Sequence, residues 1–156
     1  MSEIDNKNDK KNIIVEEVPE PSSSIALEIF VFIHKIYIYI YNIVLLGLFI
    51  FKRFAFTYDD KYIIRDIFLG IFFLLVNIFR LRATSIGNKT ERALILLFAV
   101  ILGAINLFGY IFFLWIQYIV VYFDIVFSAI GMVITLLELI FCIWTMFNIK
   151  VHEKNI

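Results

Sequence analysis

The chain has 156 residues, of which 62% are hydrophobic and 18% charged, with 14 basic residues, 14 acidic residues and one cysteine. That apolar fraction exceeds what a water-soluble domain of this length can hide, so one membrane domain is expected. The balanced charge leaves no nucleic-acid footprint, and the lone Cys142 excludes an internal disulfide and any CxxC metal or redox motif.

Residues 1–24 are polar and carry Glu16, Glu17, Pro19, Glu20, Pro21 and three serines, Ser22 to Ser24. They read as a disordered cytoplasmic tail, and their acidic character does not fit a signal peptide. Ser24 is placed to cap a helix, and Glu28 falls in the first turn, where a carboxylate suits the helix dipole.

Four apolar stretches follow, predicting spans over about 27–51, 62–81, 93–116 and 125–147. Each is long enough to cross a hydrocarbon core of about 30 Å at about 1.5 Å per residue. Lys52 and Arg53 end the first span, and a polar loop from Thr57 to Lys61 leads to the second. Arg80 and Arg82 end the second span. The loop from Thr84 to Arg92 carries a turn signal at Gly87-Asn88. From Ala93 to Phe147 the only charges are Asp124 and Glu138, and Gln117 to Asp124 is the expected reversal, marked by Trp115, Tyr118 and Tyr122. Residues 149–156 read as a short cytoplasmic tail. The fold class is therefore all-α, a polytopic four-transmembrane-helix bundle spanning 25–148.

An even number of spans puts both termini on one side. That side carries Lys7, Lys10, Lys11, Arg80, Arg82, Lys89, Arg92, Lys150 and Lys154, against Lys52, Arg53, Lys61 and Arg65 on the other. Nine against four favours cytoplasmic termini, with Lys52-Arg53 pulling the other way.

Each span carries a polar stripe. Steps of three and four collect Asp124, Ser128, Gly131, Thr135, Glu138, Cys142 and Thr145 on the fourth span. The second gives Asp66, Gly70, Phe73, Asn77, Arg80 and Thr84, the third Ala99, Gly103, Asn106, Tyr110 and Gln117, and the first Glu28, Lys35, Tyr39 and Asn42. Four such seams are expected to face one another.

Glu138 lies about nine residues, or about 14 Å, inside its span, where a lone charge is costly; it is expected to pair with Lys35 or Arg80, with Asn77 and Asn106 as further polar candidates. Plainer readings stand beside this. Lys35 can snorkel to the interface, Arg80 reads more readily as an interfacial anchor than as a functional charge, and His34 reads as a packing residue. Glu138 reads as a structural interhelix partner before it reads as a proton relay. Asn88-Lys89-Thr90 matches the glycosylation sequon, which a cytoplasmic loop leaves unused. No phosphate loop, zinc motif or nucleophile elbow is present, so no enzymatic activity, cofactor or small-molecule substrate is expected.

Across 22–147 the chain resembles the small four-span membrane proteins that include transmembrane proteins 17, 80 and 216. The resemblance rests on Ser22-Ser23-Ser24 with Leu27-Glu28-Ile29, then Lys52 and Tyr58, and Arg80. It continues with Gly87-Asn88 and Glu91, Tyr110 and Gln117, and then Asp124 and Glu138, fourteen residues apart. It departs from the group in having no proline in the loop after the first span. The resemblance implies a non-enzymatic subunit of the ciliary transition-zone membrane complex, with tectonic and Meckel-type partners. Such a subunit supports cilium assembly and the membrane diffusion barrier. A small channel or transporter subunit, with Glu138 and Lys35 lining the path, is the alternative.

Overall fold

A computed structural model describes residues 23–56 and 59–155, with side chains through His152. Residues 1–22 of the disordered tail expected over 1–24, and Thr57 and Tyr58 of the first loop, lie outside the described residues. The elements are α1 (Ile25–Ala55), α2 (Asp60–Lys89), α3 (Ala93–Ile111) with a π-helical turn at Phe112–Ile116, and α4 (Tyr122–Asn155). All four helices are long and apolar enough to cross a membrane, and no strand occurs among the described residues. α1 has 31 residues and is about 46 Å long, so its ends project beyond a hydrocarbon core of about 30 Å.

Short connections force neighbouring helices antiparallel. α1 packs on α2, α2 on α3 and α3 on α4, and α4 closes the ring against α1. The start of α1 and the end of α4 therefore lie at one end of the bundle, where Leu27, Leu81, Leu96 and Ile149 share a buried cluster. A second cluster of Ile38, Tyr41, Leu45, Phe49, Phe73, Tyr110 and Phe113 fills the middle and the far end. The outer faces are Ile, Leu and Phe, as lipid contact requires.

Side chains cap the helices. The Leu27 N–H donates to Ser24 Oγ (3.3 Å), and the Lys61 N–H to Asp59 Oδ1 (3.3 Å). At the start of α4 the Val121 N–H donates to Asp124 Oδ2 (2.9 Å), the return half of a capping box, with the carboxylate in the first turn.

The helices run past the expected spans. α2 continues into the expected Thr84–Arg92 loop as far as Lys89, and Gly87 and Asn88 belong to its last turns. The chain reverses later, at Glu91, whose φ of 52° is left-handed. The Arg92 N–H reaches back to the Gly87 C=O (3.1 Å) and the Glu91 N–H to the Asn88 C=O (3.4 Å), a Schellman ending. Gly87 serves packing instead: a Cβ there would stand 3.0 Å from the Leu96 backbone N, so α2 and α3 approach closely at this turn. α4 likewise continues through the expected tail at 149, with Ile149 buried. Hydropathy marks where a helix enters lipid, and says little about where the helix itself stops.

Candidate functional site: two buried ionic networks separated by aromatics

The first network joins three helices. Arg80 Nη1 (α2) is 2.7 Å from Glu138 Oε1 (α4), and His34 Nδ1 (α1) is 2.5 Å from Glu138 Oε2. Arg80 Nη2 stands 2.9 Å from the same His34 nitrogen. All three side chains are buried, with none more than 1% exposed. A guanidinium and an imidazole thus share one carboxylate, each taking a different oxygen. A buried charge with fewer partners would be expensive in this setting.

The second network lies toward the opposite end. Lys52 Nζ (α1) is 2.6 Å from Asp124 Oδ2 (α4) and donates to Gln117 Oε1 at 3.0 Å. The π-helical turn brings Gln117 there: the widened turn ends with the Gln117 N–H on the Phe112 C=O (3.0 Å) and directs the amide inward. Asp66 is also buried at this end and accepts from Arg65 Nε and Nη2 at 3.0 and 2.9 Å.

Between the networks lies a layer of rings. Tyr110 sits edge-on to Phe73 (4.8 Å) and Tyr41 (5.7 Å). Tyr41 shares a hydrogen bond with Ser128 Oγ (3.1 Å), and the Tyr37 O–H donates to the Phe127 C=O. Glycines make the room: a Cβ on Gly109 or Gly131 would fall 2.4 Å from a ring carbon of Phe73 or Tyr110. Beside the rings, Asn77 Nδ2 donates to the Phe73 C=O (3.1 Å), while the Asn106 amide is fully buried with no hydrogen-bond partner among the described residues.

At the terminal end a third set ties α1 to α2. The Ser24 N–H donates to Asn88 Oδ1 (2.8 Å), and Asn88 Nδ2 donates to the Ser24 C=O (2.9 Å). The Ser23 N–H reaches Glu91 Oε1 (3.2 Å), Ser85 Oγ donates to Glu28 Oε1 (2.7 Å), and Lys89 Nζ lies 3.0 Å from that oxygen. Ser23 and Ser24, expected at the end of a disordered tail, are held by these bonds.

The stripe residues on α2, α3 and α4 are all buried, and Glu138, Arg80, Asn77, Asn106, Gln117 and Asp124 share the bundle interior. Lys35 does not join them. It is exposed, because the inward face of α1 runs through Val31, His34, Ile38, Tyr41, Leu45, Phe49 and Lys52, one position away from the expected Lys35 and Tyr39. The residue that reaches Glu138 from α1 is His34, expected only as packing. Arg80 is no interfacial anchor, since its guanidinium is enclosed. Lys52, expected as an end-of-span charge, is fully buried. Among the described residues no group of three His, Cys, Asp or Glu side chains could hold a metal ion.

A family model described as a predicted membrane protein, Transmemb_17, matches residues 29–137. The match takes in nearly all of α1, the whole of α2 and α3, and α4 up to the residue before Glu138. No curated protein and no solved structure matches the chain. The chain belongs to this family of four-span membrane proteins, which includes transmembrane protein 17 and related transition-zone proteins.

Proposed function

We propose that this protein is a non-enzymatic membrane subunit of the ciliary transition-zone complex, built with tectonic and Meckel-type partners and supporting cilium assembly and the diffusion barrier at the cilium base. Family membership is the observation that carries this reading. The bundle supports it. The interior charges hold helix to helix, and the connections at 56–59, 90–92 and 117–121 are too short to build a soluble active site.

The termini face the cytoplasm in this reading. Arg80 and Lys52 are enclosed in ion pairs and do not act as flanking charges. Without them the terminal end carries eight cations (nine less Arg80) and the other end three (four less Lys52), and the opposing pull of Lys52 disappears.

The test is a tagged chain expressed in ciliated cells. Concentration at the cilium base and co-purification with other membrane proteins of that zone are expected. Uniform staining of the plasma membrane or reticulum, with normal cilia after deletion, would contradict the proposal.

A second reading, a small channel or transporter subunit, is favoured by the unpartnered Asn106 amide in mid-bundle. The ring layer of Tyr41, Phe73 and Tyr110 beside it argues for a closed interior. Ion or proton flux into vesicles carrying the purified chain, abolished by Asn106→Leu, would favour the transport reading.

A further inference from the structure

A groove of about 280 Å³ opens between α1 and α2 at the terminal end of the bundle, outside the buried networks. Lys35, Arg82 and Lys89 line it, together with Glu28 and Ser85. Glu28 already accepts from Ser85 and pairs with Lys89. Lys35 and Arg82 are exposed, and among the described residues neither has a hydrogen-bond or ion-pair partner. Three cations against one carboxylate leave the groove with two uncompensated positive charges.

The groove is graded along the helix axis. Contact between His34 and Arg80 sets those two residues at one depth. At about 1.5 Å per residue, Lys35 and Arg82 lie within about 3 Å of that level, and Lys89 lies about 14 Å further out. Apolar lining flanks the two inner cations, with Val31, Phe32 and Leu81 near their level, and it alone continues in the opposite direction, with Ile38, Tyr39 and Ile78. Exposed apolar side chains continue outward beyond Lys35, with Ile29 on α1 and Phe147 on α4, and a bilayer that covers them places the two unpaired cations at or inside its headgroup boundary. An amphiphile with an anionic head and an apolar chain matches this order of surfaces.

We propose that this groove is a binding site for an anionic phospholipid. Lys35 and Arg82 hold the phosphate, and the proximal acyl chain lies along Ile38 and Ile78. A free anion would find the cations but leave the apolar half of the groove empty. The acidic stretch around Glu16, Glu17 and Glu20 is the competing occupant, and the experiment separates the two.

The purified full-length chain in detergent is exposed to phosphatidylserine or phosphatidylcholine, and retained lipid is counted by native mass spectrometry. The unsubstituted chain should retain phosphatidylserine in preference. A Lys35→Gln/Arg82→Gln variant should lose roughly ten- to thirty-fold of that retention, whereas an Arg92→Gln/Lys150→Gln variant, with the same charge loss at the same end, should keep it. The four substituted residues are all exposed, so unfolding temperatures should match. Equal retention of the two lipids, or equal loss in the two variants, would overturn the proposal. So would phosphatidylserine retention that appears only after residues 2–21 are deleted, because the tail would then be the occupant.

Discussion

Arg80 on α2 and Glu138 on α4 meet across the bundle, with Nη1 2.7 Å from Oε1 and each side chain 1% exposed. These helices are not neighbours in the ring, so the pair reaches across the core and fixes the diagonal. His34 then sets the rotation of α1 about the same carboxylate.

Removing Glu138 strands a guanidinium in the core. Glu138→Ala should destabilise by about 3–5 kcal/mol, and Glu138→Gln, which can still accept from Arg80, by less. Arg80→Leu combined with Glu138→Leu should recover part of the loss, with a coupling energy above about 1 kcal/mol in a double-mutant cycle on unfolding in detergent. Lys35→Met should stay within about 0.5 kcal/mol of the unsubstituted chain, because that side chain is exposed. Additive effects of the Arg80 and Glu138 substitutions would remove the pair.

The Lys52–Asp124 pair predicts the same pattern at the opposite end. Lys52→Met leaves the buried Asp124 carboxylate without its cation and should lower the unfolding temperature strongly, while Lys52→Met with Asp124→Leu should restore part of it. Gln117→Leu removes one charge-assisted hydrogen bond from the Lys52 ammonium but leaves its ion pair, and should cost about 1.5–3 kcal/mol. Equal losses for Lys52→Met and the double substitution would contradict the pairing.

Glycines separate packing from propensity. Gly131→Ala drives a Cβ to 2.4 Å from the Tyr110 ring, which is hemmed in by Tyr41 and Phe73, and should cost about 1–3 kcal/mol. A Cβ on Gly47 meets nothing within 4 Å, so Gly47→Ala should be neutral or stabilising by up to about 1 kcal/mol. A shared response of the two glycines would mean that the ring layer is not packed as described.

Four helices were legible because hydropathy sets the spans, and three of the four inward faces were legible because their polar residues recur every three to four positions. On α1 that marker misled. Its inward face is mostly apolar and aromatic, so Lys35, Tyr39 and Asn42 drew the stripe onto the wrong line. One residue turns a helix by about 100°, enough to exchange His34 for Lys35. Lys52 was obscured for another reason. A lysine after an apolar run reads as a stop, and only the π-helical turn of α3, which sequence periodicity does not reveal, shows that Gln117 and Asp124 enclose it.

Asn88 should remain unglycosylated on either side of the membrane. It is 3% exposed and helical, and both of its amide atoms are bonded to the Ser24 backbone. Asn88→Ala should cost about 1–2 kcal/mol by freeing the start of α1. Orientation needs a different reporter. Lys10→Thr completes an acceptor sequence at Asn8, and cytoplasmic termini predict no endoglycosidase-sensitive shift from it. A glycan at Asn8 would reverse the orientation.

The central claim is that the interior charges hold an architecture and do not move ions or protons. The most direct measurement is rescue of cilium formation, in cells lacking the protein, by a chain carrying His34→Phe, Arg80→Met and Glu138→Leu together. The account predicts rescue in proportion to the amount of folded protein at the cilium base, since an apolar core of similar volume can replace a buried ionic group. A variant that folds, reaches the cilium base at normal levels and rescues nothing would contradict it.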